Sequence, residues 1–212
     1  MAFEAAFTRF PVLNTEPGTR SRVLLRQIRP GDAEALFAIL SDEQAMAYYG
    51  HLPHQSLEDT RAVIAESAAR YARREGIRWG IALRGDDRLI GSCGLQRFDA
   101  GHHRAETGYE LDRALWGRGL MAEAMAAILG YGFTELGLHR VEAVIDDANA
   151  RSKGLLLKLG FTPEGVLRER YRFLDRFEDE YYYGLLSHEW QGRHGVGDRG
   201  IAPDQPNSTA SG

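Results

Sequence analysis

Residues 104–133 join a strand, a glycine turn and a helix with almost no spacer, and that junction limits the folds open to this chain. RAETGYELD (104–112) is rich in strand formers. LWGRGLMAEAMAAILGYGF (115–133) then opens on Gly117-Arg118-Gly119 and runs into an apolar pattern of helical period. Leu120, Ala124, Ile128 and Tyr131 recur at helical spacing, as do Met121, Met125 and Leu129, so one side can pack on a sheet. A helix starting at such a turn presents bare N–H groups, and its dipole adds roughly half a positive charge there. A phosphate-bearing cofactor is the natural occupant; a helix start without a ligand is the alternative. Two other phosphate loops are excluded. No third glycine follows at dinucleotide-fold spacing, and there is no GxxxxGK[ST] run.

The next segment decides between them. HRVEAVID (139–146) alternates Val141, Ala143 and Ile145 with polar neighbours, which predicts a strand. Asn149, Ser152 and the Leu155-Leu156-Leu157 run follow, then Lys158-Leu159-Gly160-Phe161. Gly160 is placed to cap a helix begun near Ala148, and Phe161 to start another strand. Here the chain resembles the GNAT superfamily of acyl-CoA-dependent N-acyltransferases. More narrowly it resembles the branch that acetylates the N-terminal amines of ribosomal proteins (RimJ/RimL type). The resemblance rests on GYELDRALWGRGLMAEA, NARSKGLLLKLGF, EGVLRERY and FEDEYYYGLL, in the family's order over residues 21–190. It implies an α/β single domain: a mixed, mostly antiparallel sheet with helices on both faces.

The remaining sequence fits one domain. At 212 residues and 43% apolar content there is material for a full core. Residues 1–20, broken by Pro11 and Pro17, are expected to form a loose arm. RVLLRQIR (22–29) reads as a strand, and Pro30-Gly31-Asp32 as a helix start, with Asp32 capping 33–40. Ser56 and Asp59 form a capping box for a helix reaching about Glu75. Strands are expected at 77–84 and 89–98 around a Gly85-Asp86-Asp87 turn, and again near 180–186. Residues 191–212 are Gly, Pro, Ser, Asn and Asp with little to bury, and predict a disordered tail. No run of eighteen apolar residues and no basic-then-apolar leader occurs, so no membrane partner is expected. The single cysteine, Cys93, cannot pair within the chain and points to the cytoplasm. A net charge of −4 gives no reason to expect nucleic acid.

For site residues the resemblance is specific. It implies acetyl-CoA as co-substrate and no metal, with the pyrophosphate on the amides of Trp116, Gly117, Arg118, Gly119, Leu120 and Met121. Trp116 and Met121 depart from the family's usual loop, and Trp116 is frequent in the ribosomal branch. Pantetheine would lie along the strand at Glu110 and Leu111, with the Leu111 amide as oxyanion donor. Asn149 would bond the pantetheine, and Ser152 would stand at the sulfur as acid or hydrogen-bond donor. The tyrosine acid that many members carry seven residues after the asparagine is replaced by Leu156. An α-amine titrates near 8 and a lysine near 10.4, so an N-terminal acceptor needs only a modest base. Glu106 is the leading candidate, acting directly or through water, and Glu110 lies on the same strand face. His102-His103 lack a third ligand at metal spacing and are expected in a loop. Tyr48, Tyr49 and the loop to His54 fall where related enzymes wall the acceptor pocket. The expected partner is an amine acceptor: a protein N-terminus, or alternatively a polyamine, amino acid or antibiotic, which the acidic FEDE segment (177–180) keeps open. A non-catalytic acyl-CoA-binding module is the third reading. A homodimer is compatible with the sequence but is not written in it.

Overall fold

The computed structural model describes residues 6–14 and 21–194. Seven strands form one sheet: β1 (Val23–Gln27), β2 (Gly76–Leu83), β3 (Leu89–Asp99), β4 (Arg104–Leu111), β5 (Arg140–Ile145), β6 (Thr162–Phe173) and β7 (Arg176–Leu186). Their order is β1-β2-β3-β4-β5-β7-β6, and only the β4–β5 pair is parallel. That pair is parallel because a helical crossover joins it, whereas β2–β3 and β6–β7 are joined by tight turns. The described helices are α1 (Ala33–Leu40), α2 (Glu43–Met46), α3 (Leu57–Ala72), α4 (Leu120–Thr134), α5 (Ala150–Leu159) and α6 (Ser187–His194). None is long and apolar enough to cross a membrane.

Alternation along β2 sorts the two layers. Ile77, Trp79 and Ile81 are buried with Met125, Ile128 and Leu129 of α4. A methyl group at Gly80, on the other face, would strike Leu89 and Ile28, which pack with Leu36 of α1 and Ile64 of α3. Helices therefore cover both faces. Cys93 is fully buried on β3, and burial pushes its thiol well above its ordinary value.

Local expectations hold with some exceptions. Ser56 and Asp59 form the capping box, and Gly160 closes α5 with φ +100°. Asp32 does not cap α1. Its carboxylate instead pairs with the buried Arg26 guanidinium at 2.8 Å and accepts from the Arg29 N–H. Residues 6–14 are not loose: Phe7 and Phe10 pack on the main core, Leu13 bridges to Leu25, and the Trp79 indole donates to the Pro11 carbonyl. The aromatic pair supplies what the irregular sequence conceals, an apolar lid over the end of the sheet. Downstream of residue 190 the chain continues in α6 to His194, and the rest of the expected disordered tail lies outside the described residues.

Candidate active site

The site begins where the sheet parts. β4 and β5 share only three rungs, Arg104↔Arg140, Ala105↔Val141 and Glu106↔Glu142, after which β4 runs on to Leu111 paired with β3 but not with β5. The Asp112 N–H donates to the Ile90 carbonyl on the β3 side. Strand alternation then turns the amides of Leu111 and Tyr109 to the opposite edge, into the gap. The Leu111 carbonyl is taken by the Trp116 indole N–H at 2.9 Å.

The glycine turn sits at the mouth of this gap. Gly117 (φ +73°) and Gly119 (φ +77°) are both left-handed, a conformation that a side chain would strain, and Gly119 is the N-cap of α4. Glu123 in the first turn of α4 accepts from Ser21 and from the Arg22 and Val23 amides, tying the helix to β1. Asn149 caps α5 by accepting from the Ser152 N–H at 3.0 Å. The Ser152 hydroxyl lies 2.6 Å from the Tyr109 hydroxyl. The Arg151 guanidinium rests 4.5 Å over the Trp116 ring.

These groups line a groove of about 400 Å³. It takes in Leu111, Trp116, Gly117, Gly119, Leu120, Met121, Asn149 and Ser152, eight of the residues named from sequence. Arg118 is not among them: its side chain is exposed, and its carbonyl accepts from Arg22. Two helix N-termini, Arg151 and Lys158 give the groove the character of an anion site. The gap adds an unpaired strand edge along which a chain of amides can bond. Both features fit the pyrophosphate and pantetheine of CoA. Leu156 is fully buried in the core and does not reach the groove.

A second chamber of about 640 Å³ opens on the other face of the sheet. Its floor includes Gly94, and its walls carry His51, His54, Glu66, Arg70, Arg78 and Arg97. Tyr49 and Glu110 line both cavities. The buried Glu110 carboxylate accepts from the Tyr49 hydroxyl, the Ser92 hydroxyl and Arg78. Burial, then the Glu110 charge, holds the Tyr49 phenol far above its ordinary value. Burial lowers the His54 imidazole below its ordinary value.

Glu106 stands elsewhere. It shares the strand face of Glu110 but lines neither cavity, and it is engaged by Arg97 at 2.8 Å and Gln96 at 3.3 Å. His102 and His103 lie in the β3–β4 loop, bonded to Asp99 and the Gly137 carbonyl. The FEDE segment lies on β7, outside both cavities, with Glu178 on Arg176, Asp179 on the Glu169 N–H and Glu180 on the Tyr182 hydroxyl. Tyr109, Arg151, Arg78 and Ser92 were missed from sequence. Tyr109 had a signal, because it lies two residues before Leu111 and so on the same face of β4.

A groove against a sheet gap, with a second chamber meeting it at Tyr49 and Glu110, is an arrangement that fits an acyltransferase. The chain belongs to the GNAT acetyltransferase family, whose domain matches residues 22–162. It is 42% identical over 160 residues to the uncharacterized N-acetyltransferase YoaA of Bacillus subtilis, covering 76% of this chain and 88% of that protein. Its fold is shared by the Vibrio cholerae spermidine N-acetyltransferase solved with CoA and spermine (TM-score 0.70, 21% identity, 80% and 98% of the two chains). It is shared equally by Mycobacterium smegmatis RimJ solved with CoA-disulfide (TM-score 0.71, 21% identity, 81% and 89%). The protein is an acetyltransferase.

Proposed function

We propose that the enzyme transfers the acetyl group of acetyl-CoA to the α-amine of a protein N-terminus, by direct attack in a ternary complex in the cytoplasm. The observation that carries this reading is the meeting of two cavities at Tyr49 and Glu110, one suited to CoA and one on the opposite sheet face. Such an arrangement lets the acceptor arrive without displacing the donor, and the one cysteine is sealed in the core, so no covalent acyl-enzyme is needed.

The chain's residues divide the work. Acetyl-CoA supplies an activated thioester. The amides of 117–121 hold its pyrophosphate and Asn149 its pantetheine arm. The Leu111 amide faces the gap and stabilises charge developing on the carbonyl oxygen. Ser152 donates to the departing sulfur. The transfer forms one N–C bond and breaks one C–S bond; the amine gives up a proton, and the sulfur leaves as a thiolate that accepts the Ser152 hydrogen bond and is protonated by solvent. Glu106 receives the amine's proton through water, since it stands outside the chamber. An α-amine near pKa 8 tolerates so indirect a base, and a lysine amine does not.

The chamber also bears on the acceptor. Three arginines (Arg70, Arg78, Arg97) against two glutamates (Glu66, Glu110) make a poor host for a polycation, and the acidic FEDE segment lies outside it. The test is thiol release from acetyl-CoA with N-terminal peptides, lysine peptides, spermidine and aminoglycosides. Turnover with N-terminal peptides, cut at least tenfold in Glu106→Gln or Ser152→Ala, is the expected result. Turnover only with a small amine moves the function there, and CoA binding without turnover reduces the protein to an acyl-CoA-binding module.

A further inference from the structure

We propose that Tyr109 is the positioning residue for Ser152: its phenol donates to the Ser152 oxygen and leaves the serine's own hydrogen for the sulfur of CoA. This rests on the reading above, in which Ser152 stands at that sulfur.

The two hydroxyls are 2.6 Å apart, and this is the only hydrogen bond of either side-chain oxygen among the described residues. They come from different elements, β4 and α5, that flank the groove. Each is fixed independently. β4 is paired rung by rung with β3 through Tyr109↔Cys93, and Ser152 is held in the first turn of α5 by the Asn149 cap. The pair therefore ties β4 to α5 at the groove wall, a strut in which only the placing of hydrogens is left open.

Acidity assigns the direction of donation. A phenol is a stronger acid than an alkyl alcohol, so it is the better donor of the pair. Burial pushes the Tyr109 phenol up to about 12, so it keeps its hydrogen across the working pH range. That same value argues against Tyr109 as a proton source for a thiolate that titrates near 8.5. Its contribution is orientation. With the Ser152 oxygen occupied as an acceptor, the serine hydrogen is free to turn into the groove, toward the sulfur of CoA. The family position that often holds a tyrosine acid is Leu156 here, sealed in the core, so Ser152 is the hydroxyl that α5 brings to the groove, and Tyr109 orients it from β4.

The test measures binding as well as rate. CoA and desulfo-CoA are titrated calorimetrically into the wild type, Tyr109→Phe, Ser152→Ala and the double variant, from pH 7 to 9.5. A hydroxyl donating to sulfur favours the thiolate, so wild-type affinity for CoA, relative to desulfo-CoA, rises at least threefold through the thiol's titration. In Tyr109→Phe and Ser152→Ala that rise is lost, and the double variant is no flatter than either single. With a productive acceptor, Tyr109→Phe lowers kcat about fivefold, as expected for one hydrogen bond, with KM for acetyl-CoA unchanged. In the Ser152→Ala background the tyrosine change has no further effect. A full or steeper pH rise in Tyr109→Phe overturns the proposal, because it would mean that the serine donates to the phenol. A flat wild-type profile also overturns it. Absence of turnover with every amine strikes the proposed function instead, and leaves the binding measurement to judge the strut.

Discussion

Replacing Glu110 by Gln removes the one carboxylate that lines both cavities, and the cost can be worked from its surroundings. The Glu110 side chain is 3% exposed and the Arg78 side chain 23%. Glutamine keeps the size and an acceptor oxygen, so the Tyr49 and Ser92 hydroxyls retain a partner in turn, but the Arg78 charge loses its counterion. Breaking a buried pair in this way costs about 3–5 kcal/mol. Arg78 also borders the second chamber, where water can solvate it, which places the expectation at the low end, about 3 kcal/mol. In a chain of this length that lowers Tm by about 6–12 °C. Thermal and urea unfolding of the wild type, Glu110→Gln, Arg78→Met and the double variant would test it. The double variant should recover at least half of the loss, because no unpaired charge is left. A Glu110→Gln protein within about 1 kcal/mol of wild type, or a double variant destabilised by the sum of the singles, would refute the reasoning.

Gly119→Ala forces a side chain into φ +77°, which costs about 1–2 kcal/mol and tilts the first turn of α4; CoA affinity measured by calorimetry should fall at least tenfold. Deleting residues 1–14 strips Phe7 and Phe10 from the core and frees the Trp79 indole, a loss of about 3–4 kcal/mol visible in urea unfolding. Asp32 tests acid stability. Burial raises its carboxyl, but the Arg26 guanidinium and the Arg29 N–H outweigh burial and hold it below the ordinary value. Its stabilisation is therefore complete above the unfolded value near 3.9 and is lost as pH falls through the lower folded value. Asp32→Asn should be less stable at pH 7 and show a shallower fall in stability between pH 4 and 2.

How much of this was legible in sequence depended on how local the cause was. The glycine turn, the Ser56 and Asp59 box and the Gly160 cap are each fixed within four residues, and the structure has them where the sequence predicts. About half of the groove lining belongs to that class, in the two short runs 111–121 and 149–152. Asp32 was misread because its capping signal is local but its stronger partner, Arg26, arrives from β1. The aromatic arm was missed for a like reason: Phe7 and Phe10 have no period of their own and acquire meaning only against Tyr71 and Trp79. The Glu110 cluster draws Tyr49, Arg78 and Ser92 from three distant segments, and nothing in the spacing of one announces the others. In sequence Glu106 ranks ahead of Glu110 as the base, though both share one face of the strand. What separates them is depth, one beside exposed Arg97 and the other beneath the α2–α3 connection.

The three shared rungs between β4 and β5 divide the sheet into two leaves, β1–β4 and β5–β7, stitched at one end and free at the other. A ligand whose amides lie along the free edge acts as a splint across the seam. Its binding free energy is then also cohesion between the leaves, about 2.7 kcal/mol when present at a hundred times its dissociation constant. Amide exchange should slow on both banks of the seam together, at Tyr109 and Leu111 on one side and Val144 on the other. The mechanical integrity of the protein would then track the supply of its own donor, so that starvation for the acyl carrier loosens the enzyme as well as idling it.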